Sequence, residues 1–104
     1  MEKPTPRVNS GMLPQYTNTS VRLVGKVLQV QGTKAILEAS DHGKVNIDLM
    51  PENNFGTQYV EVIGLVQDGR SIQEYSSCNL GDNFDLGNYN KLVELSQKYQ
   101  GLFQ

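Results

Sequence analysis

The chain has 104 residues, a formal net charge of −2 and a sequence pI near 5.2. That length fits a single domain, since domains cluster at roughly 100–150 residues. The acidic balance argues against a protein whose main task is gripping phosphates, and one cysteine excludes both a disulfide framework and a Cys-rich zinc site. No apolar run is long enough to span a bilayer as a helix, and no apolar targeting segment follows Met1, so an intracellular, soluble protein is expected.

Residues 1–19 form an N-terminal segment. Pro4, Pro6 and Pro14 fix φ and lack donors, so the stretch should be extended and irregular. Val8, Met12 and Leu13 are too apolar for a free tail and should lie across one end of the domain.

From residue 20 to residue 80 the pattern is one of short strands: Val21 to Val30, Lys34 to Ala39, Lys44 to Met50, Tyr59 to Val66 and Ser71 to Leu80. In the third, Val45, Ile47 and Leu49 alternate with Lys44, Asn46 and Asp48, the period of a strand buried on one face. Asp68-Gly69 is a hairpin turn signal. Five strands joined mostly by two- or three-residue turns cannot form a parallel sheet, whose crossovers need a dozen or more residues. Two strands carry an internal glycine, Gly25 and Gly64, where the apolar set is expected to change sides. The fold expected is all-β with one helix: a five-stranded OB-type Greek-key barrel. A β-sandwich or an SH3-like barrel is the alternative.

Residues 85–104 differ. Asp85 suits an N-cap, Phe84 and Tyr89 stand where a hydrophobic staple would put them, and Gly101 can end a helix running from Leu86 to Tyr99. On a helical wheel Leu86, Tyr89, Leu92, Val93, Leu95, Ser96 and Tyr99 spread over roughly 180°, whereas a helix lying on one small barrel needs about 100°. Tyr89, Leu92, Ser96, Tyr99 and Phe103 also follow a 3-4-3-4 spacing. Packing of all of these on the chain's own barrel is the plain alternative. The surplus apolar surface favours an oligomerisation helix that meets partner chains through Leu86, Tyr89, Leu92, Val93, Leu95, Ser96, Tyr99 and Phe103.

An OB barrel grips single strands through its second and third strands, with aromatic platforms and backbone-tracking cations. Here Lys34 to Met50 holds no Phe, Tyr or Trp, and the loops are minimal. Arg22, Lys34, Lys44 and Arg70 are the candidate nucleic-acid contacts, opposed by more carboxylates than cations, so intrinsic affinity should be weak. An enzyme finds no support. His42 adjoins Asp41 and Ser40, but sequence neighbours cannot adopt a relay geometry, and a solvated turn histidine is the simpler account. Cys78 is expected as a small core residue. No catalytic residue, metal ligand, cofactor or small-molecule substrate is expected.

Four segments then occur in order: Arg7-Val8-Asn9-Ser10-Gly11-Met12-Leu13, Val24-Gly25-Lys26-Val27, Val60-Glu61-Val62-Ile63-Gly64, and Phe84-Asp85-Leu86-Gly87-Asn88-Tyr89-Asn90. Together they resemble the smallest subunit of replication protein A, the eukaryotic heterotrimer that binds single-stranded DNA. The resemblance runs from about Pro6 to the end. It implies a nuclear scaffold in replication, repair and recombination, whose helix joins one helix each from the middle and large subunits in a three-helix bundle. It carries no catalytic or metal residues. Two alternatives share the barrel: an autonomous oligonucleotide-binding module, and the small OB subunit of a telomere-capping complex.

Overall fold

The computed structural model describes residues 5–53 and 55–98. Its strands are β1 (Arg7–Val8), β2 (Ser20–Gln31), β3 (Lys34–Ala39), β4 (Lys44–Asp48), β5 (Tyr59–Asp68) and β6 (Ser71–Gly81), followed by helix α1 (Leu86–Lys98). β2 pairs antiparallel with β3, β3 with β4, and β5 with β6, while β4 and β6 run parallel. β2 also pairs with β5, which closes the sheet into a Greek-key barrel of the OB type.

Closure depends on one long strand serving two neighbours. Ser20 to Lys26 of β2 bond to β5, and Gly25 to Gln31 bond to β3. The hand-over falls at Gly25, where a Cβ would stand 2.8 Å from the Glu38 carbonyl oxygen. The side change itself does not occur there. Val21, Leu23 and Val27 all face the interior, and the register shifts only between Val27 and Gln29, leaving Leu28 as the bulge. β5 does not change sides at all: Val60, Val62, Gly64 and Val66 are all buried. Gly64 is needed for a different reason, because a Cβ would collide with the Gln73 carbonyl oxygen of β6. The irregularity that a bend requires is carried by β6, whose register against β5 shifts between Ile63 and Gly64.

The core contains Val21, Leu23, Leu37, Val45, Ile47, Val60, Val62, Val66 and Ile72, with Val8 and Leu13 joining it from the N-terminal segment. That segment corrects two expectations. It is not extended throughout: Ser10 to Tyr16 form a 3₁₀ helix with Pro14 inside it, which is how Leu13 turns into the core. It also adds a sixth strand, as Arg7 and Val8 pair parallel with Arg22 and Leu23. The third predicted strand stops at Asp48, not Met50. The Met50 N–H is taken by the Glu74 carboxylate (2.8 Å), and Pro51 cannot continue a ladder. Glu74 sits in the inward phase of β6, 2 % exposed, and its second oxygen accepts from Asn53 Nδ2 at 2.7 Å. Cys78 also departs from expectation. It is exposed on β6, because the register there pairs it with Glu61, on the face opposite the buried Val60 and Val62.

Candidate functional site

α1 starts as its sequence dictates. Asp85 Oδ1 accepts from the Asn88 N–H at 3.0 Å, which satisfies an otherwise orphaned donor of the first turn. The Phe84 and Tyr89 rings lie 5.7 Å apart, the staple that sets the entry of the chain, and Phe84 also meets Tyr59 of β5 at 6.1 Å.

The apolar residues of the helix divide into two sets. Val93 and Ser96 are fully buried in this chain, and Leu86 and Tyr89 are partly so. Leu92 is 37 % exposed and Leu95 44 %. Tyr99 and Phe103 lie outside the described residues. Val93 and Ser96 therefore serve the chain's own packing, with the Ser96 hydroxyl returned to the Val93 carbonyl at 2.8 Å. Leu92 and Leu95 form a strip that the described residues leave partly uncovered.

Polar contacts also seat the inner face. Asn90 Oδ1 accepts from Asn9 Nδ2 and from the Ser40 hydroxyl, each at 2.9 Å. Two turns along, Gln97 Oε1 accepts from the Tyr16 hydroxyl at 3.0 Å, and Gln97 Nε2 donates to the Arg7 carbonyl at 3.4 Å. Next to these anchors, Asp41 holds the start of the 3₁₀ helix, accepting from the Ser10 hydroxyl (2.8 Å), the Ser10 N–H (3.1 Å) and the Gly11 N–H (3.0 Å). Burial pushes the Asp41 carboxyl up, but these donors outweigh it and hold the group below the ordinary 3.8. Tyr89 goes the other way: burial first, then the Glu61 charge, raise its hydroxyl, with Arg7 and Arg22 opposing.

None of these polar anchors was singled out from the sequence. One signal was present, in that asparagine is a poor helix former without a bonding task, although only the structure shows that Asn90 faces inward. Asn9 and Ser40 gave none, because their meeting depends on the tertiary path.

The four candidate DNA contacts do not form one surface. Lys34 Nζ is 2.6 Å from Asp48 on the neighbouring strand. Arg22 is only one-third exposed, with Nε buried and 3.8 Å from the Glu61 carboxylate. The groove over β3 and β4, about 610 Å³, is lined by Gln29, Gln31, Lys34, Ala35, Ile36, Asn46, Asp48 and Ser71, with no aromatic ring. Lys44 and Arg70 do share a groove of about 560 Å³ with Ser10 and His42 at the other end of β4. Asp68 lies against Arg70 there, donating nothing and accepting from the Arg70 N–H at 2.8 Å. His42 adopts a left-handed φ of 71° at the tip of its turn, with Nδ1 3.3 Å from Glu38 and no bond to Asp41, whose acceptors are taken by Ser10 and Gly11.

Comparison with known proteins fits this barrel and helix. A telomere capping protein, Ten1 from Schizosaccharomyces pombe, shares the fold at 14 % identity and a TM-score of 0.74, covering 91 % of this chain and 99 % of that one. A chain of U. maydis replication protein A, solved with single-stranded DNA, superposes with a TM-score of 0.96 at 38 % identity, over 100 % of this chain and 99 % of that one. Replication factor A protein 3 of Schizosaccharomyces pombe is 36 % identical over 104 residues, 99 % of this chain and 98 % of the relative. The family description "Replication factor A protein 3" matches residues 1–103, and the chain belongs to that family.

Proposed function

We propose that the chain is the structural, assembly subunit of a heterotrimeric single-stranded-DNA-binding complex of the replication protein A type, working in the nucleus in replication, repair and recombination. Its helix joins the middle and large subunits in a three-helix bundle, and DNA is held chiefly by those partners. The observation that carries this is the pair Leu92 and Leu95, left exposed on a helix whose opposite face is already seated on its own barrel. Leucines uncovered in this way mark a partner surface when they recur on one side of a helix.

Weak intrinsic affinity for DNA follows from charge. Residues 45–90 contain one cation, Arg70, and seven carboxylates. Half of the chain therefore repels phosphodiesters, and the groove where an OB barrel would stack bases offers no ring. Stacking contributes about 1–3 kcal/mol per base, so a barrel without platforms starts at a large disadvantage.

Co-expression with the middle and large subunits tests the reading. The native chain should co-elute with both, and the variant carrying Leu92→Asp and Leu95→Asp should elute alone while keeping its strand-type circular dichroism. Co-elution of the variant would refute the assignment of the helix. A second experiment addresses the autonomous module: fluorescence anisotropy of the lone chain on a labelled oligonucleotide should show only weak, salt-sensitive binding. The telomere-capping variant is distinguished by partner identity, because its fold is shared and its sequence is distant from this one.

A further inference from the structure

A helix with Leu86, Tyr89 and Val93 on one side and Leu92 and Leu95 on the other has two ways to lie on a small barrel. Burial of apolar surface is non-directional, so it favours whichever roll hides more hydrocarbon. By that measure neither side is excluded, since Val93 with the partly buried Leu86 and Tyr89 lies inward while Leu92 and Leu95 lie outward. A directional contact can decide between two such sides.

We infer that Asn90 is the positioning residue that sets the roll of α1 and so keeps Leu92 and Leu95 available for assembly; this rests on the assembly reading above. Its carbonyl oxygen is the common acceptor for two donors drawn from distant parts of the chain, Asn9 Nδ2 and Ser40 Oγ, each 2.9 Å away. Both donor residues are buried, at 5 % and 3 % exposure, so no water can replace Asn90 without rearrangement. The next residue along each strand of this clasp, Ser10 and Asp41, are bonded to one another at 2.8 Å, which fixes the donors themselves. Asn9-Ser10 and Ser40-Asp41 thus act as one rigid jaw.

The geometry of a helix does the rest. At about 100° per residue, Leu92 and Leu95 lie roughly 140–160° around the axis from Asn90. Holding Asn90 against the jaw points both leucines away from the barrel. Gln97, seven residues on and nearly in line with Asn90, repeats the hold through Tyr16 and the Arg7 carbonyl. A roll by one residue position would bring leucine inward and would strand Asn9 and Ser40 without a partner, which buried donors do not tolerate cheaply. Asn90 thus works by placing the leucines.

The test uses three variants of the full chain, co-expressed and titrated with the middle and large subunits, alongside amide hydrogen exchange. Asn90→Leu removes the acceptor and should weaken assembly at least about tenfold, with α1 amides exchanging faster and barrel strands unchanged. Asn90→Asp keeps an acceptor oxygen and should stay within about threefold of native. If Asn90→Leu also costs the barrel its protection, Ser40→Ala decides, because it deletes one donor with little change of volume and should still weaken assembly. Native assembly by Asn90→Leu, or by Ser40→Ala in that case, would overturn the inference, as would an Asn90→Asp variant as defective as Asn90→Leu. Failure of the underlying reading looks different: Leu92→Asp with Leu95→Asp would then assemble normally whatever Asn90 does.

Discussion

The barrel face over β3 and β4 and the outer side of α1 are the two surfaces on which this fold could act, and they are finished differently. On the barrel two of the candidate cations face carboxylates of the chain, Lys34 closely with Asp48 and Arg22 more loosely with Glu61, and the groove over β3 and β4 holds no aromatic ring. On the helix, Leu92 and Leu95 are left partly uncovered by the described residues. A surface whose groups are mutually satisfied has little left to offer a ligand, whereas uncovered leucines gain from any apolar cover at about 25 cal/mol per Å².

The sharpest way to break the contrast is to remove the leucines alone. Leu92→Ala with Leu95→Ala should weaken assembly at least about a hundredfold, taking each buried leucine at about 1.5–3 kcal/mol, while the melting temperature of the lone chain shifts little. Isothermal titration and a thermal melt on the same samples would check this. The opposite side of the helix should behave in reverse. Val93→Ala removes two buried methyl groups and should cost the lone chain about 1–2 kcal/mol of stability by urea unfolding, with a smaller effect on assembly.

The clasp at Asp41 sharpens the comparison through pH. Its carboxyl is held below the ordinary 3.8 in the folded chain, so the folded state binds its proton less readily than the unfolded state does. That stabilisation is present above the unfolded value and is lost as pH falls through the folded one. Below about pH 4 the native chain should therefore lose stability faster than Asp41→Asn, which lacks the titrating group; urea midpoints at successive pH values would show the two curves converging. The effect should be modest, because burial opposes the hydrogen bonds that lower the carboxyl. Smallest of all should be the loss of barrel cations. Lys34→Ala, Lys44→Ala and Arg70→Ala together should lower the affinity of the assembled complex for single strands by less than about tenfold, measured by anisotropy at fixed salt.

Much of this was legible in the residues. Alternation in Lys44 to Asp48 and the Asp68-Gly69 turn marked the strands, and Phe84, Asp85 and Tyr89 marked where the helix begins. These are local signals, and local physics decided them. The surplus of apolar residues on the helix was also visible, but its division was not. Ser96 and Val93 were indistinguishable from Leu92 and Leu95 on a wheel, because which side faces the barrel is set by Asn9 and Ser40, brought from 81 and 50 residues away. The same limit hid the bulge at Leu28, since glycine at 25 was the only irregularity that the sequence displayed, whereas a bulge is a property of two paired strands. Pro14 argued for extended chain and instead accompanied a 3₁₀ turn, whose stability comes from burying Leu13 and from the Asp41 carboxylate at its start.

The central claim is that one side of α1 is dry within the single chain and the other becomes dry only in company. Solvent paramagnetic relaxation of the side-chain methyls measures this directly. In the isolated chain the Leu92 and Leu95 methyls should relax rapidly and the Val93 methyls slowly, and in the assembled complex all three should relax slowly. Leucine methyls already protected in the lone chain, or still exposed in the complex, would contradict the account.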